Sequence, residues 1–159
     1  MKYSPVLLAI LLTTALQAGS LPLGYFQQEV KYDIDVKLDD KDHILRGHEK
    51  LLYMNNSPNS IDFIWMHLWP NAYKDNNTAF AKQMWENGRS KFYFSDEDDR
   101  GYIDSLNFTI KGVPLQVEAH PEWIDVVKLI LPAPLAPGKR ITIETPFKVK
   151  IPIVFSRLG

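Results

Sequence analysis

The chain has 159 residues, 45% hydrophobic and 23% charged, which suggests one globular domain with a real core and argues against disorder. Its 18 basic and 19 acidic residues leave a net charge of -1, so there is no basic footprint for nucleic acid and no polybasic patch for a membrane. Cysteine is absent, which excludes disulfides, thiolate metal sites, cysteine nucleophiles and an acylated lipoprotein cysteine.

Met1 to Ala18 reads as an export signal. Lys2 gives the positive start, Val6 to Leu12 the apolar run, and Gln17-Ala18-Gly19-Ser20 the small residues for cleavage after Ala18. A membrane span needs about 20 apolar residues, and this run is shorter. A cleaved signal over 1–18 is therefore expected, with residues 19–159 exported to the periplasm or beyond the cell and no stable membrane anchor after cleavage.

Val30, Tyr32, Ile34, Val36 and Leu38 alternate with Lys31, Asp33, Asp35 and Lys37, the pattern of a half-buried antiparallel strand. Asp39 to Asp42 is a turn. Ile44 to Met54 is a second strand, in which Gly47 marks a bulge or bend. Asn55 to Ser60 is dense in turn residues. From Ile61 to Leu68 every position but Asp62 and His67 is apolar, so both faces of this strand carry apolar side chains. Such a strand is expected to be central and covered on both sides, and Phe63, Trp65 and Trp69 make the stretch Ile61–Tyr73 the expected core nucleus. Trp69-Pro70 ends it, because proline has no N–H for the ladder.

The period changes between Asn76 and Gly88. Asn77 is the expected cap, Thr78 to Trp85 the helix and Gly88 its close. Phe80, Met84 and Trp85 share a face that reads as core. Ser95 to Gly101 is a polar loop. Strands resume at Ile103–Lys111, Leu115–Ala119, Ile124–Leu131 and Arg140–Lys150, with Pro132 to Lys139 as a rigid connector. Many short strands spaced by turns predict an all-β fold, an antiparallel sandwich or open sheet with one short helix near 77–87.

Four histidines are candidate metal ligands: His43, His48, His67 and His120. His48-Glu49 is the front half of H-E-x-x-H, but Leu52 stands at the closing position and the segment reads as a strand, where the motif needs a helix. His43 and His48 are expected on a solvated face, and His67 at the edge of the core with a hydrogen-bond partner. Asp96, Asp98 and Gly101 match the start of a calcium loop, yet Arg100 and Asn107 occupy two ligand positions, so a solvated loop is expected, with Arg100 pairing one of its carboxylates. Asn55, Asn76 and Asn107 head glycosylation-type triplets, which arise often by chance. No nucleophile elbow and no phosphate-cradling glycine loop is present. An exposed pair such as Trp85 and Trp123 could bind sugar, with core packing the favoured alternative.

Five segments in order carry a resemblance: Tyr25-Phe26-Gln27-Gln28-Glu29-Val30; Asn55-Asn56-Ser57-Pro58; His67-Leu68-Trp69-Pro70-Asn71-Ala72-Tyr73; Asp99-Arg100-Gly101-Tyr102-Ile103; and Thr145 to Pro152 followed by Phe155-Ser156-Arg157-Leu158-Gly159. Together they resemble the beginning of an exported bacterial zinc metallopeptidase of the aminopeptidase N family, over nearly all of the chain after the signal. The resemblance implies a saddle-like N-terminal β domain over 19–159, incomplete at its C-terminus, that packs against a thermolysin-like catalytic domain. That domain would hold Zn2+ through H-E-x-x-H and a downstream glutamate, and the full-length enzyme would cleave peptide substrates. None of these motifs occurs here, and the β domain's own contribution to binding the substrate amine aligns beyond Gly159. The resemblance therefore assigns no catalytic, cofactor-binding or metal residue to this chain. One departure is Ile153-Val154, where a more polar turn is expected. The unpaired strand edge expected at Ile151–Gly159 also suits a truncated domain. The competing expectation is a free-standing secreted β-sandwich that binds carbohydrate or protein through surface aromatics.

Overall fold

The computed structural model describes residues 25–153, so the proposed signal at 1–18 and the segment Phe155–Gly159 lie outside the described residues. The elements are β1 (Glu29–Asp39), β2 (Ile44–Met54), β3 (Ile61–His67), α1 (Ala79–Glu86), β4 (Tyr102–Asp104), β5 (Thr109–Ile110), β6 (Val113–Pro114), β7 (Gln116–Ala119), β8 (Val126–Leu135) and β9 (Arg140–Lys150). They form two antiparallel sheets. The larger runs β1-β2-β9-β5-β6, with β4 also paired to β9; the smaller runs β3-β8-β7. The fold is all-β and sandwich-like with one short helix, as its alternating pattern predicts.

The core lies between the sheets. Leu51 of β2 and Ile143 of β9 pack with Ile64 of β3 and with Leu129, Leu131 and Leu135 of β8, and Leu68 and Phe108 close the ends. β1, β2 and β9 form the long hairpin framework, each strand 11 residues in unbroken register. The Asp39 carboxylate accepts from the N–H groups of Lys41 and Asp42 at 3.2 and 3.3 Å, and His43 completes the turn at φ 52°.

Gly47 is not a bulge. It lies opposite Val36 and Phe147 in regular pairing, and a Cβ there would stand 2.5 Å from Phe147 Cζ. The glycine makes room for the Phe147 ring across the strand. β3 is not central. It is an edge strand that sends Ile64 and Met66 toward the core and leaves Phe63 and Trp65 exposed. Nor is β1 half-buried: every residue along it is exposed, because the smaller sheet does not reach that far across.

The strand expected at Ile103–Lys111 is broken. Ser105 and Lys111 take φ values of 60° and 50°, so the chain leaves the extended region twice. Across the gap, Thr145 Oγ1 accepts from the Asn107 N–H at 2.9 Å. The proline connector is half strand, since β8 runs on to Leu135. The pairing jumps from Phe63–Ile130 to Ile61–Leu135, and that irregularity accommodates Pro132 and Pro134. Helix α1 is capped by Thr78, not Asn77, through a 3.1 Å bond from the Ala81 N–H to Thr78 Oγ1. Gly88 closes it at φ 71°. Trp85 points away from the core and is exposed, while Phe80 and Met84 are partly buried.

Asn55 fastens the framework to the smaller sheet. Its side chain is fully enclosed. Nδ2 donates to the carbonyls of Asn59 and Leu135, both at 2.8 Å. Oδ1 accepts from Ser57 Oγ at 2.6 Å and from Ser57 N–H at 3.0 Å. Its backbone donates to Lys139 and accepts from Gly138, at 2.9 and 2.7 Å. Truncation would strand several buried groups, each costing roughly 1–3 kcal/mol. We expect Asn55→Ala to lower stability by about 3 kcal/mol or more in urea titration. A loss under about 1 kcal/mol would show that the junction does not depend on this amide.

Candidate functional site

Among the described residues two faces stand uncovered. The first belongs to the larger sheet. Its registers set Tyr32 beside Leu51 and Ile143, Ile34 beside Glu49 and Thr145, Val36 beside Gly47 and Phe147, and Leu38 beside Leu45 and Val149. The Leu51–Ile143 side of this face is roofed by the smaller sheet. The β1 side has no roof among the described residues, and its apolar row is open from 39% at Val30 to 57% at Val36. The opposite face of β1 carries Lys31, Asp33, Asp35 and Lys37, as solvent contact requires.

Glu49 sits within this apolar face. It is half-buried, and no cation pairs with it among the described residues. Burial alone pushes its carboxyl above the ordinary glutamate range. Burial, and then the Glu49 charge, push the Tyr32 phenol up; burial does the same to Tyr53.

The second face is the outer side of the smaller sheet. Phe63, Trp65 and His67 alternate along β3 and are all exposed. Trp65 lies 5.3 Å from His120 between ring centres, and His120 stacks on Trp123 at 4.4 Å and 6°. His67 Nε2 meets Asp125 Oδ2 at 2.8 Å, and its ring lies 3.9 Å from Trp69. Lys128 bonds Glu118 at 3.3 Å and lies over the Phe63 ring at 4.6 Å.

His43 and His48 are exposed, as expected. His67 has its hydrogen-bond partner, Asp125, but stands on the outer face and not at the core edge. Arg100 does not pair with a loop carboxylate. It turns inward to Ser95 Oγ and Ser95 O, at 3.2 and 3.0 Å, and to Asn76 Oδ1 at 3.2 Å, with Phe92 beneath it. Gly101 serves close packing, since a Cβ there would meet Pro152 Cδ at 2.6 Å. The Asn55 amide is enclosed with both N–H groups engaged, so its triplet is structural. Trp85 and Trp123 are exposed, against the favoured core packing, and they sit in separate clusters: Trp85 with Tyr93 and Phe94, Trp123 with His120.

Zinc does not fit these residues. His48 and Glu49 are neighbours on a strand and point to opposite faces. Among the described residues no three histidine, aspartate or glutamate side chains gather as a metal would need. None of the described helices is long and apolar enough to cross a membrane. A scan against protein-family models finds no match, and a search of curated proteins finds none.

In the sequence Glu49 enters only as half of an incomplete metal motif, Trp65 and Trp69 only as core and strand end, and Asp125 carries no signal at all. Glu49 was visible as the one acid in register with Leu45, Leu51 and Tyr53. Phe63, Trp65 and His67 share one face of β3 in the sequence, but aromatic content by itself does not tell a buried face from an exposed one.

Because the folded state raises the Glu49 pKa, the folded form holds its proton more tightly than the unfolded chain. The stability that goes with this proton is full below the ordinary glutamate range and is lost as pH rises through the folded value. Glu49→Gln is therefore expected to raise Tm at neutral pH, with the two proteins converging in acid. A Tm lowered by the substitution at neutral pH would mean that the charged carboxylate is stabilised by its surroundings.

Proposed function

We propose that this chain is the non-catalytic N-terminal β scaffold of an exported, zinc-dependent, aminopeptidase-like metallopeptidase. The observation that carries this reading is the open apolar row of β1. Five apolar side chains on an 11-residue strand, backed by Phe147 and Leu45, are shaped to be packed against and not to be solvated. The order of the five sequence segments supplies the identity of the covering body, a catalytic domain of the same protein.

In this role the chain performs no chemistry. It would brace the catalytic domain, wall one side of the peptide cleft, and leave water activation to a Zn2+ held elsewhere. The half-buried Glu49 gives the covering domain a polar point to meet. A donor placed there on docking would draw its pKa back down.

A second reading is a free-standing secreted β-sandwich that binds carbohydrate or protein. It is favoured by the exposed tryptophans of the smaller sheet. The two readings separate on association. A scaffold deprived of its partner associates through β1, and Ile34→Lys restores a monomer; a free-standing module is monomeric throughout. The direct test is the reading frame beyond codon 159. The scaffold reading expects H-E-x-x-H followed by a further glutamate, and no aminoacyl-anilide turnover by residues 1–159 with added zinc. Turnover by this chain that is abolished by a chelator would overturn it.

A further inference from the structure

The two open faces differ in chemistry. The β1 row is aliphatic with one tyrosine, which suits protein packing. The outer face of the smaller sheet is a platform of rings edged with hydrogen-bonding groups. Trp65 and Trp123 are each 49% exposed and Trp69 is 67% exposed.

These rings are held in place. His120 Nδ1 accepts from the N–H groups of Glu122 and Trp123, at 3.1 and 3.2 Å. That arrangement makes Nδ1 the acceptor and leaves an N–H at Nε2. The imidazole and the Trp123 indole then form one rigid slab, with Trp65 against its edge. Asp125 is fixed as well: its carbonyl accepts from the Leu68 N–H at 2.7 Å, and its carboxylate holds His67.

On this face Lys128 is salt-bridged to Glu118, and Asp125 is hydrogen-bonded to His67. A polyanion would meet Glu118 and Asp125, and a polycation would meet Lys128. The complementary ligand is uncharged, with flat apolar surfaces and a polar rim. Pyranose rings have that form, since their C–H faces are apolar and their hydroxyl edges both donate and accept.

We propose that the outer face of β3, β8 and β7 binds a neutral oligosaccharide. Its rings stack on the Trp123–His120 slab and on Trp65, and its hydroxyls reach His120 Nε2, Asp125 and Glu118. The platform works equally on a scaffold domain or on a free-standing module, so its failure leaves the scaffold reading, which turns on β1, untouched.

The test is calorimetric titration of the purified chain with cellohexaose, mannohexaose and chitohexaose, with hexagalacturonate and an unstructured neutral peptide as comparators. At least one neutral hexasaccharide is expected to bind saturably. Trp65→Ala and Trp123→Ala should each weaken it by about tenfold or more. Trp85→Ala, which alters the other aromatic cluster, should leave it unchanged. Trp123→Phe, checked for an unchanged Tm, keeps the result readable should an alanine variant misfold, and is expected to bind at intermediate strength. The proposal is overturned if no neutral hexasaccharide binds, if only hexagalacturonate or the peptide binds, or if the affinity follows Trp85 and not Trp65 and Trp123.

Discussion

The interaction on which the rest depends is the seam where Leu51 and Ile143 of the larger sheet meet Ile64, Leu129 and Leu131 of the smaller one. Burial of such side chains contributes about 1.5–3 kcal/mol each, and this seam is the main apolar store of the molecule. Its width is set by the smaller sheet, which has three strands against six. The seam therefore stops short of β1. The uncovered row follows from that mismatch and not from poor patterning, because the β1 alternation is regular from end to end.

Around the seam, small polar fastenings fix where the chain passes between layers. Asn55 ties the end of β2 to the carbonyl of Leu135 at the end of β8. Asn71 accepts from the Ile103 N–H at 3.1 Å and so holds β4 to the turn that follows β3. Thr145 fills the break between β4 and β5. Each satisfies a backbone group that the sheets leave unpaired, which an interior requires. The outcome is a rigid frame with two open faces, one aliphatic and one aromatic. Rigid frames position binding groups more sharply than loops do.

Much of the fold was legible because strand periodicity is strong. β2 and β9 fall where alternation and flanking turns put them, and the helix lies where the period changes. What alternation cannot reveal is the covering layer. Val30 to Leu38 announces an apolar face but not whether anything lies on it. Ile61 to Leu68 carries apolar side chains on both faces, which resembles a buried strand, yet Phe63 and Trp65 face outward. The break at Ser105 uses left-handed backbone without glycine, so residue type gives no warning. On the outer face of the smaller sheet, the spacing of His120 and Trp123 was readable locally. Their meeting with Trp65 depends on β3 and β7 flanking β8, which pairing decides and composition does not.

The central claim is that the apolar row of β1 is bare in the isolated chain. Hydroxyl-radical footprinting read by mass spectrometry, at dilutions where the chain sediments as a monomer, measures this directly. The account expects Tyr32, Val36 and Leu38 to be oxidised readily while Leu129 and Ile143 are protected. Protection of Tyr32, Val36 and Leu38 equal to that of Ile143 would mean that another part of the same chain already covers the face, and would contradict it.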